Sequence, residues 1–468
     1  MRALPVLPAG LLDAGFASLA TFTVSVWAGR SLSLAQFGSY GLFLSAFSLA
    51  AAVPAQLVLN PAENFSVARP VAQRLGVLSK TWHIGLPVAL GAAVAAMTAA
   101  FLVALAADAP AGVRWPLALT ALCCATVSPL QDHVRRCLHL GGVSWRAAAV
   151  SLVQLLGVIT FLALLAGLNV AAIWRPFGAL TLANVTSAAV GLARTRRDLR
   201  AVRLPPYRFG EIVRSGRWLL GMESANTAAV FITAALIAKL AGTETLGYAE
   251  AARLVAQPVL VLVAGLSAVL GPQLLEAGAT RDSARSHRVT RYFIGLLLAA
   301  GLLYAAVTIV DWPINILAFL LPQAYDVPGL ALASVAASVL VGVAFPYRSV
   351  LVGAGWERLL PAAAVLAGAL QVLAAATAGV VGAFAQPLGV AVFGAVLSVA
   401  YRRHVRAALA TAPPRAWPER HRVRKGQDDE RGARSYPRGI LDERGVRSPA
   451  AFFRFRRKAA GQDVDDVA

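Results

Sequence analysis

The sequence predicts an all-α integral membrane protein, with about twelve transmembrane helices in two six-helix lobes. The lobes are parallel repeats around a central cavity. Three observations lead there: the composition, a series of apolar runs, and a repeated motif at matching places in the two halves. Of the 468 residues 58% are hydrophobic and 14% charged, against about 25% charged in soluble proteins. Mean hydropathy is +0.66. So few charges cannot coat the roughly three soluble domains that length alone suggests. Disordered, collagenous and disulfide-scaffold classes fail as well; Cys123, Cys124 and Cys137 allow at most one disulfide.

A bilayer core needs about 20 mostly apolar residues per helix. Runs of that kind lie at 11–29, 37–58, 82–107, 115–131, 147–166 and 174–193. A second set lies at 217–240, 247–274, 292–310, 328–347, 359–381 and 387–401. The first run is not a cleavable signal peptide, because only Arg2 precedes it and it flows into a second span. Pro54, Pro129, Pro258 and Pro346 interrupt helices and are expected to kink them.

Net charge is +20, from 43 Lys and Arg against 23 Asp and Glu. Position decides what this means. With the N-terminus in the cytoplasm, the inner loops hold Arg2; Arg69, Arg74 and Lys80; Arg135, Arg136 and Arg146; eight arginines between Arg194 and Arg217; Arg281, Arg285, Arg288 and Arg291; and Arg348 and Arg358. The outer ends hold only Arg30, Arg114, Arg175 and Lys239. This asymmetry places both termini in the cytoplasm of a cell-membrane protein. The expected divisions are 1–193, a six-helix lobe; 194–216, a basic linker; 217–401, a second lobe; and 402–468, a disordered basic tail. The tail holds 17 Lys and Arg with 9 Asp and Glu and is able to touch anionic lipid head groups.

The repeat is short but in register. Arg30 precedes Gly38 by eight residues, and Lys239 precedes Gly247 by eight. Both pairs are offset by 209 positions. Six spans separate the copies, so both lie on one membrane side, and the halves are parallel repeats. The glycines permit tight geometry where a helix follows a short turn, and Arg30 and Lys239 are placed to snorkel to the outer interface.

These residues also carry a resemblance. Trp27-Ala-Gly-Arg30 with Phe37-Gly38-Ser-Tyr40, and Leu246-Gly247-Tyr248-Ala-Glu-Ala-Ala-Arg253-Leu, resemble the lobe signatures of polysaccharide-unit (O-antigen-type) flippases. So do Gly271-Pro272 and Phe319-Leu-Leu-Pro-Gln-Ala-Tyr325. That family belongs to the multidrug/oligosaccharidyl-lipid/polysaccharide exporter superfamily. The resemblance covers residues 11–401. It implies a two-lobe transporter that moves polyprenyl-diphosphate-linked oligosaccharide from inner to outer leaflet by alternating access. It also implies membrane lipid, the lipid-linked glycan, and a glycan polymerase and glycosyltransferases of the same pathway as partners.

An ionisable residue deep in a span costs about 2.5–3.5 kcal/mol and so faces a cavity or a partner. Arg253 is the sharpest case, with Glu250 and Gln257 at i−3 and i+4. Its guanidinium suits the forked oxygens of a diphosphate; pairing with Glu250 or Glu223 is the structural alternative. Asn226 in the seventh span completes the substrate-binding candidates. Asp13 and Glu223, near equivalent places in the two halves, are the coupling-ion candidates. Gln154, Asn184 and Gln371 read as interhelical hydrogen-bond glue.

Other chemistry is absent. None of the four lysines follows a glycine, so no phosphate loop exists. No cofactor motif appears. His133, Cys137 and His139 beside Arg135 and Arg136 make a poor metal cluster, and no metal is expected. The basic loops lack the aromatic pattern of a nucleic-acid module. Three rivals remain. A major facilitator transporter carries a Gly, an acid and paired basic residues in the loop after its second span, and 60–80 contains no Asp and no adjacent basic pair. A multidrug extruder shares the same fold. A glycan polymerase or ligase needs a large outer loop, and 311–327 is short.

Overall fold

The computed structural model describes residues 7–67, 71–200, 209–309, 322, 325 and 327–410. Among them the backbone is helical with short connections and no strand. Twelve helices are long and apolar enough to cross a membrane. They are α1 (Pro8–Ser31), α2 (Leu34–Glu63), α3 (Thr81–Ala106), α4 (Ala111–Leu140), α5 (Ser144–Gly167), α6 (Ala172–Arg196), α7 (Gly216–Leu240), α8 (Gly242–Ser267), α9 (Ser283–Ile309), α10 (Leu330–Gly353), α11 (Glu357–Ala375) and α12 (Ala378–Ala410).

Local chemistry sets the ends. Ser33 opens α2 with a capping box: its Oγ accepts from the Gln36 amide at 3.4 Å, and its own amide donates to Gln36 Oε1 at 3.1 Å. At the matching place in the second half, Gly242 (φ +91°) opens α8. Helices outrun the apolar runs wherever arginine follows. The sixth continues to Arg200 and the seventh begins at Phe209. The stretch 194–216, expected as a linker, is therefore helical on both sides of 201–208, which lies outside the described residues. Likewise α12 runs nine residues past 401. Hydropathy falls at a membrane boundary, but arginine is a good helix former and the helix does not stop. The eleventh helix is shorter than expected. It ends at Ala375 rather than 381; a short piece, Ala378–Val381, opens α12, and the chain bends at Gly382 (φ +59°) before the long part of that helix. The tail from 411 lies outside the described residues.

Helices of each half pack mainly on one another. In the first, α1 packs on α5, α5 on α6, α4 on α6, and α3 on α2 and α4. In the second, α8 packs on α10, α10 on α12, and α11 on α7 and α12. Much of this packing uses small residues, such as Ala20, Ala28, Ala46, Ala93, Ala100 and Ala121, all fully buried or nearly so. That suits lipid, where association depends on close backbone approach more than on hydrophobic expulsion. Large side chains such as Leu302, Leu303 and Leu373 lie on the outside.

The halves meet along α2, which packs on both α7 and α8. At the end bearing Lys239 the contact is reciprocal. A Cβ on Gly38 would strike the Thr243 carbonyl and come within 2.8 Å of the Gly247 amide nitrogen. A Cβ on Gly247 would strike the Leu34 carbonyl. Under the 209-residue offset Leu34 matches Thr243, so the two contacts are copies of each other. One step inward, Gly41 faces the side chain of Glu250, and these too are equivalent positions. The approximate two-fold axis relating the halves therefore passes between them. Tyr325 closes this end further: its hydroxyl donates to the Leu32 carbonyl at 2.6 Å and its ring stacks on Phe37. At the opposite end Pro54 leads into a π-turn, Ala55–Leu59. Gly216 packs there, where a Cβ would lie 2.6 Å from the carbonyls of Gln56 and Leu57.

Candidate functional site

Inside the second half lies a cavity of about 350 Å³. Residues of α7, α8, α10, α11 and α12 line it. Its walls are mostly apolar, with Val263, Phe345 and Phe393 among them. Polar groups converge at Arg253, Asn226, Thr233, Gln371 and Gln386. Gln371 Nε2 donates to Thr233 Oγ1 at 3.3 Å. Gln386 Oε1 is buried with no hydrogen-bond partner among the described residues.

Among the described residues Arg253 is the only charged one on this wall. Its Nε and Nη2 both reach Glu250 Oε2, at 2.7 and 2.6 Å. The pair is lopsided. Glu250 is buried at 3% side-chain exposure, whereas the Arg253 side chain keeps 39%. The other carboxylate oxygen, Glu250 Oε1, is buried without a partner among the described residues. The structural alternative foreseen for Arg253, pairing with Glu250, is thus present, and it leaves part of the guanidinium facing the cavity. Gln257 departs from expectation: it is half-buried and does not line this wall. Helical spacing put it near Arg253, but the cavity face of α8 runs through Ala256, Leu260, Val263 and Ala264 instead.

Asn226 also lines a smaller neighbouring cavity of about 80 Å³, with Glu223, Arg348 and Tyr401. Asp13, near the equivalent place in the first half, has a different setting. Asp13 is held in the first half as a buried ion pair. It accepts from Arg135 Nε at 3.0 Å and Nη2 at 3.1 Å, and from Ser151 Oγ at 2.5 Å; His139 Nε2 lies 3.0 Å away. Those contacts occupy both carboxylate oxygens and make Asp13 a structural brace between α1, α4 and α5. Gln131, Gln154, Asn184 and Ser128 form a continuous hydrogen-bonded chain across α4, α5 and α6. It borders a cavity of about 200 Å³ that Arg135 also lines.

His133 and Cys137 meet Glu63 in a buried cluster whose donor atoms lie within 4.8 Å of one another; His139 belongs to Asp13 instead. Both imidazole nitrogens are engaged, Nδ1 with Glu63 Oε1 at 2.7 Å and Nε2 with Thr81 Oγ1 at 2.6 Å. The cluster is satisfied by its own hydrogen bonds. Lys239 Nζ donates to the Ala106 carbonyl at 2.6 Å, so it caps the C-terminal end of α3 and ties the halves together. Arg30, its counterpart, is exposed.

No protein-family profile and no curated sequence matches the chain. Solved structures do. An inward-facing multidrug resistance MATE family transporter of the MOP superfamily is 16% identical with a TM-score of 0.66, the match covering 85% of this chain and 96% of that one. An outward-facing structure of such a transporter gives 15% and 0.60, covering 88% and 100%. The chain has the MOP-superfamily fold. A third similar structure is a MOP superfamily transporter from Pyrococcus furiosus, described as having a binding pocket of reversed polarity; it is 15% identical over 88% of this chain and 99% of that one, with a TM-score of 0.58. The two-lobe, twelve-helix arrangement is common to these structures and this chain.

Sequence reasoning missed Gln386, Thr233 and the Glu63–His133–Thr81 group. Gln386 sits at the start of an apolar run and was hidden by it. Glu63 and His133 are 70 residues apart, and no periodicity joins them.

Proposed function

We propose that this protein is a membrane transporter working by alternating access between two lobes, 1–193 and 217–401. Its substrate on this reading is polyprenyl-diphosphate-linked oligosaccharide, moved from the inner to the outer leaflet for cell-envelope polysaccharide. The observation that carries the reading is a guanidinium on the wall of an otherwise apolar cavity ringed by amides. A forked cation among neutral hydrogen-bonding groups suits phosphate oxygens. The apolar lining from Val263 to Phe393 suits the first units of a polyprenyl chain. A volume of about 350 Å³ holds a head group rather than an oligosaccharide. The cavity therefore reads the part common to every such lipid and leaves the sugar unspecified.

The test is translocation of a lipid-linked glycan in proteoliposomes. Arg253→Ala should lower it at least tenfold while the protein still inserts and runs as a single species; Arg253→Lys, which keeps charge but loses the fork, should fall between. Normal translocation by Arg253→Ala would refute the reading. A second reading, export of small apolar cations or neutral compounds, draws on the multidrug transporters sharing this fold and on the mostly apolar walls. Under it Arg253→Ala leaves export unchanged and a dye-efflux assay responds instead to Phe345 or Phe393.

A further inference from the structure

Glu250 sits at the junction of two features that have so far been separate. Its Oε2 holds Arg253, which lines the cavity. Its aliphatic stem and carboxyl carbon lie against Gly41 of α2, where the two halves cross; a Cβ at Gly41 would be 2.6 Å from Glu250 Cδ. The position lies eight residues along α8 from Gly242, about 12 Å from the Lys239 end. Glu250 Oε1 has no hydrogen-bond partner among the described residues. The Arg253 pairing is thus the main compensation for a carboxylate enclosed between the lobes.

We propose that Glu250 is a positioning residue that competes with the substrate's diphosphate for Arg253, and so couples occupancy of the cavity to separation of the lobes at the Lys239 end. The inference rests on Arg253 being the phosphate ligand. When a diphosphate takes the guanidinium, Glu250 loses its counter-charge while still enclosed against Gly41. A buried carboxylate left unpaired is strongly unfavourable. The penalty applies only while the halves are closed around it, because parting α2 from α8 lets water reach Glu250. A ligand shifts a conformational equilibrium by its differential affinity for the two states, and here the difference comes from the displaced carboxylate. The repeat supports this asymmetry. The position equivalent to Glu250 is Gly41 and that equivalent to Arg253 is Leu44, so only one half carries the charge pair, and it lies on the axis about which the halves pack. In the empty protein the pair keeps the closed state free of an unpaired carboxylate; in the loaded protein that compensation is gone and the lobes are released.

The experiment uses the full chain in lipid nanodiscs with Cys123 replaced by serine. Spin labels go at Leu168 in the first half and Val380 in the second, both highly exposed. The probes are farnesyl diphosphate and inorganic pyrophosphate, with farnesol as the control lacking phosphate. Removing the competitor in Glu250→Gln should tighten diphosphate binding at least tenfold. It should also abolish the lengthening of the label-to-label distance that farnesyl diphosphate produces in the parent, because no displaced carboxylate is left between the lobes. Binding of pyrophosphate alone assigns the recognition to the phosphates; a requirement for farnesyl diphosphate adds the chain, and either supports the exchange. An affinity within twofold of the parent for Glu250→Gln, or a distance that still lengthens with farnesyl diphosphate as it does in the parent, overturns the coupling. Arg253→Ala separates the two ideas. If it still binds the diphosphate like the parent, the phosphate reading falls and the coupling falls with it. If it loses binding while Glu250→Gln gains none, only the coupling falls.

Discussion

Gly38→Ala and Gly247→Ala should open the Lys239 end of the protein to about the same degree, because the contacts they break are copies. At Gly38 a new methyl meets the Thr243 carbonyl and lies 2.8 Å from the Gly247 amide nitrogen; at Gly247 it meets the Leu34 carbonyl and lies 2.8 Å from Leu34 Cδ1. Ordinary contact begins near 3.4 Å, so each substitution needs α2 and α8 to part by at least about 0.6 Å. Both carbonyls belong to backbone, and no rotamer change relieves the clash. Overpacking of this kind costs about 1–3 kcal/mol. Alanine also gains about 1 kcal/mol of helix propensity over glycine, but equally in open and closed states, so it cancels from the equilibrium between them. The closed-to-open ratio should fall roughly 5- to 150-fold. Dipolar distance measurement between labels at Leu168 and Val380 reads this directly. Gly265→Ala on α8, with nothing within 4 Å of its Cβ, is the control and should leave the distances unchanged. If either glycine variant keeps the parent's distances, or if the two differ from each other by more than tenfold, the reciprocal packing is wrong.

Two further outcomes follow from the first half and from charge placement. Asp13→Ala leaves Arg135 without its bidentate partner and should cost about 3–5 kcal/mol, seen as a large drop in the thermal midpoint in detergent; a midpoint equal to the parent's contradicts the bracing role. Reporters fused after residues 205 and 411 should both read cytoplasmic under the positive-inside asymmetry, and either one reading outside breaks the even-span orientation.

What was legible in the sequence is what lipid imposes locally. A helix in hydrocarbon must satisfy its own backbone and present apolar side chains, so each span announces itself within its own 20 residues, and the twelve runs could be placed without reference to one another. The helix ends were harder, because apolarity stops at the bilayer while helical propensity does not: Arg194 to Arg200 is polar and still helical. Asp13 illustrates a second limit. Its place in the sequence marks it as a coupling-ion candidate, and only the fold brings Arg135 and His139, more than 120 residues away, onto its oxygens. Glu63 and His133 were invisible as a pair for the same reason.

The candidate site shows a third kind of legibility, one that depends on comparing the halves rather than reading them singly. Similar residues at a fixed offset revealed the repeat: Arg30 with Lys239, Gly38 with Gly247. Those positions turn out to build the symmetric scaffold, where two glycines let backbones cross. A site that recognises one asymmetric ligand cannot itself be symmetric about that axis. It has to occur where the copies differ. At the offset of 209, Gly41 stands opposite Glu250 and Leu44 opposite Arg253. The first pair is in contact at the axis. The charge appears in one half, at the one depth where the other half supplies a glycine to accommodate it. Aligning the halves sets several charges against small or apolar residues, and the contact of Glu250 with its own counterpart Gly41 at the axis is what marks Glu250, with Arg253 held on it, among them. Gln257 fails the same test, since its counterpart Ser48 is also polar; like Glu250 it lies off the cavity wall, but Glu250 reaches that wall through Arg253.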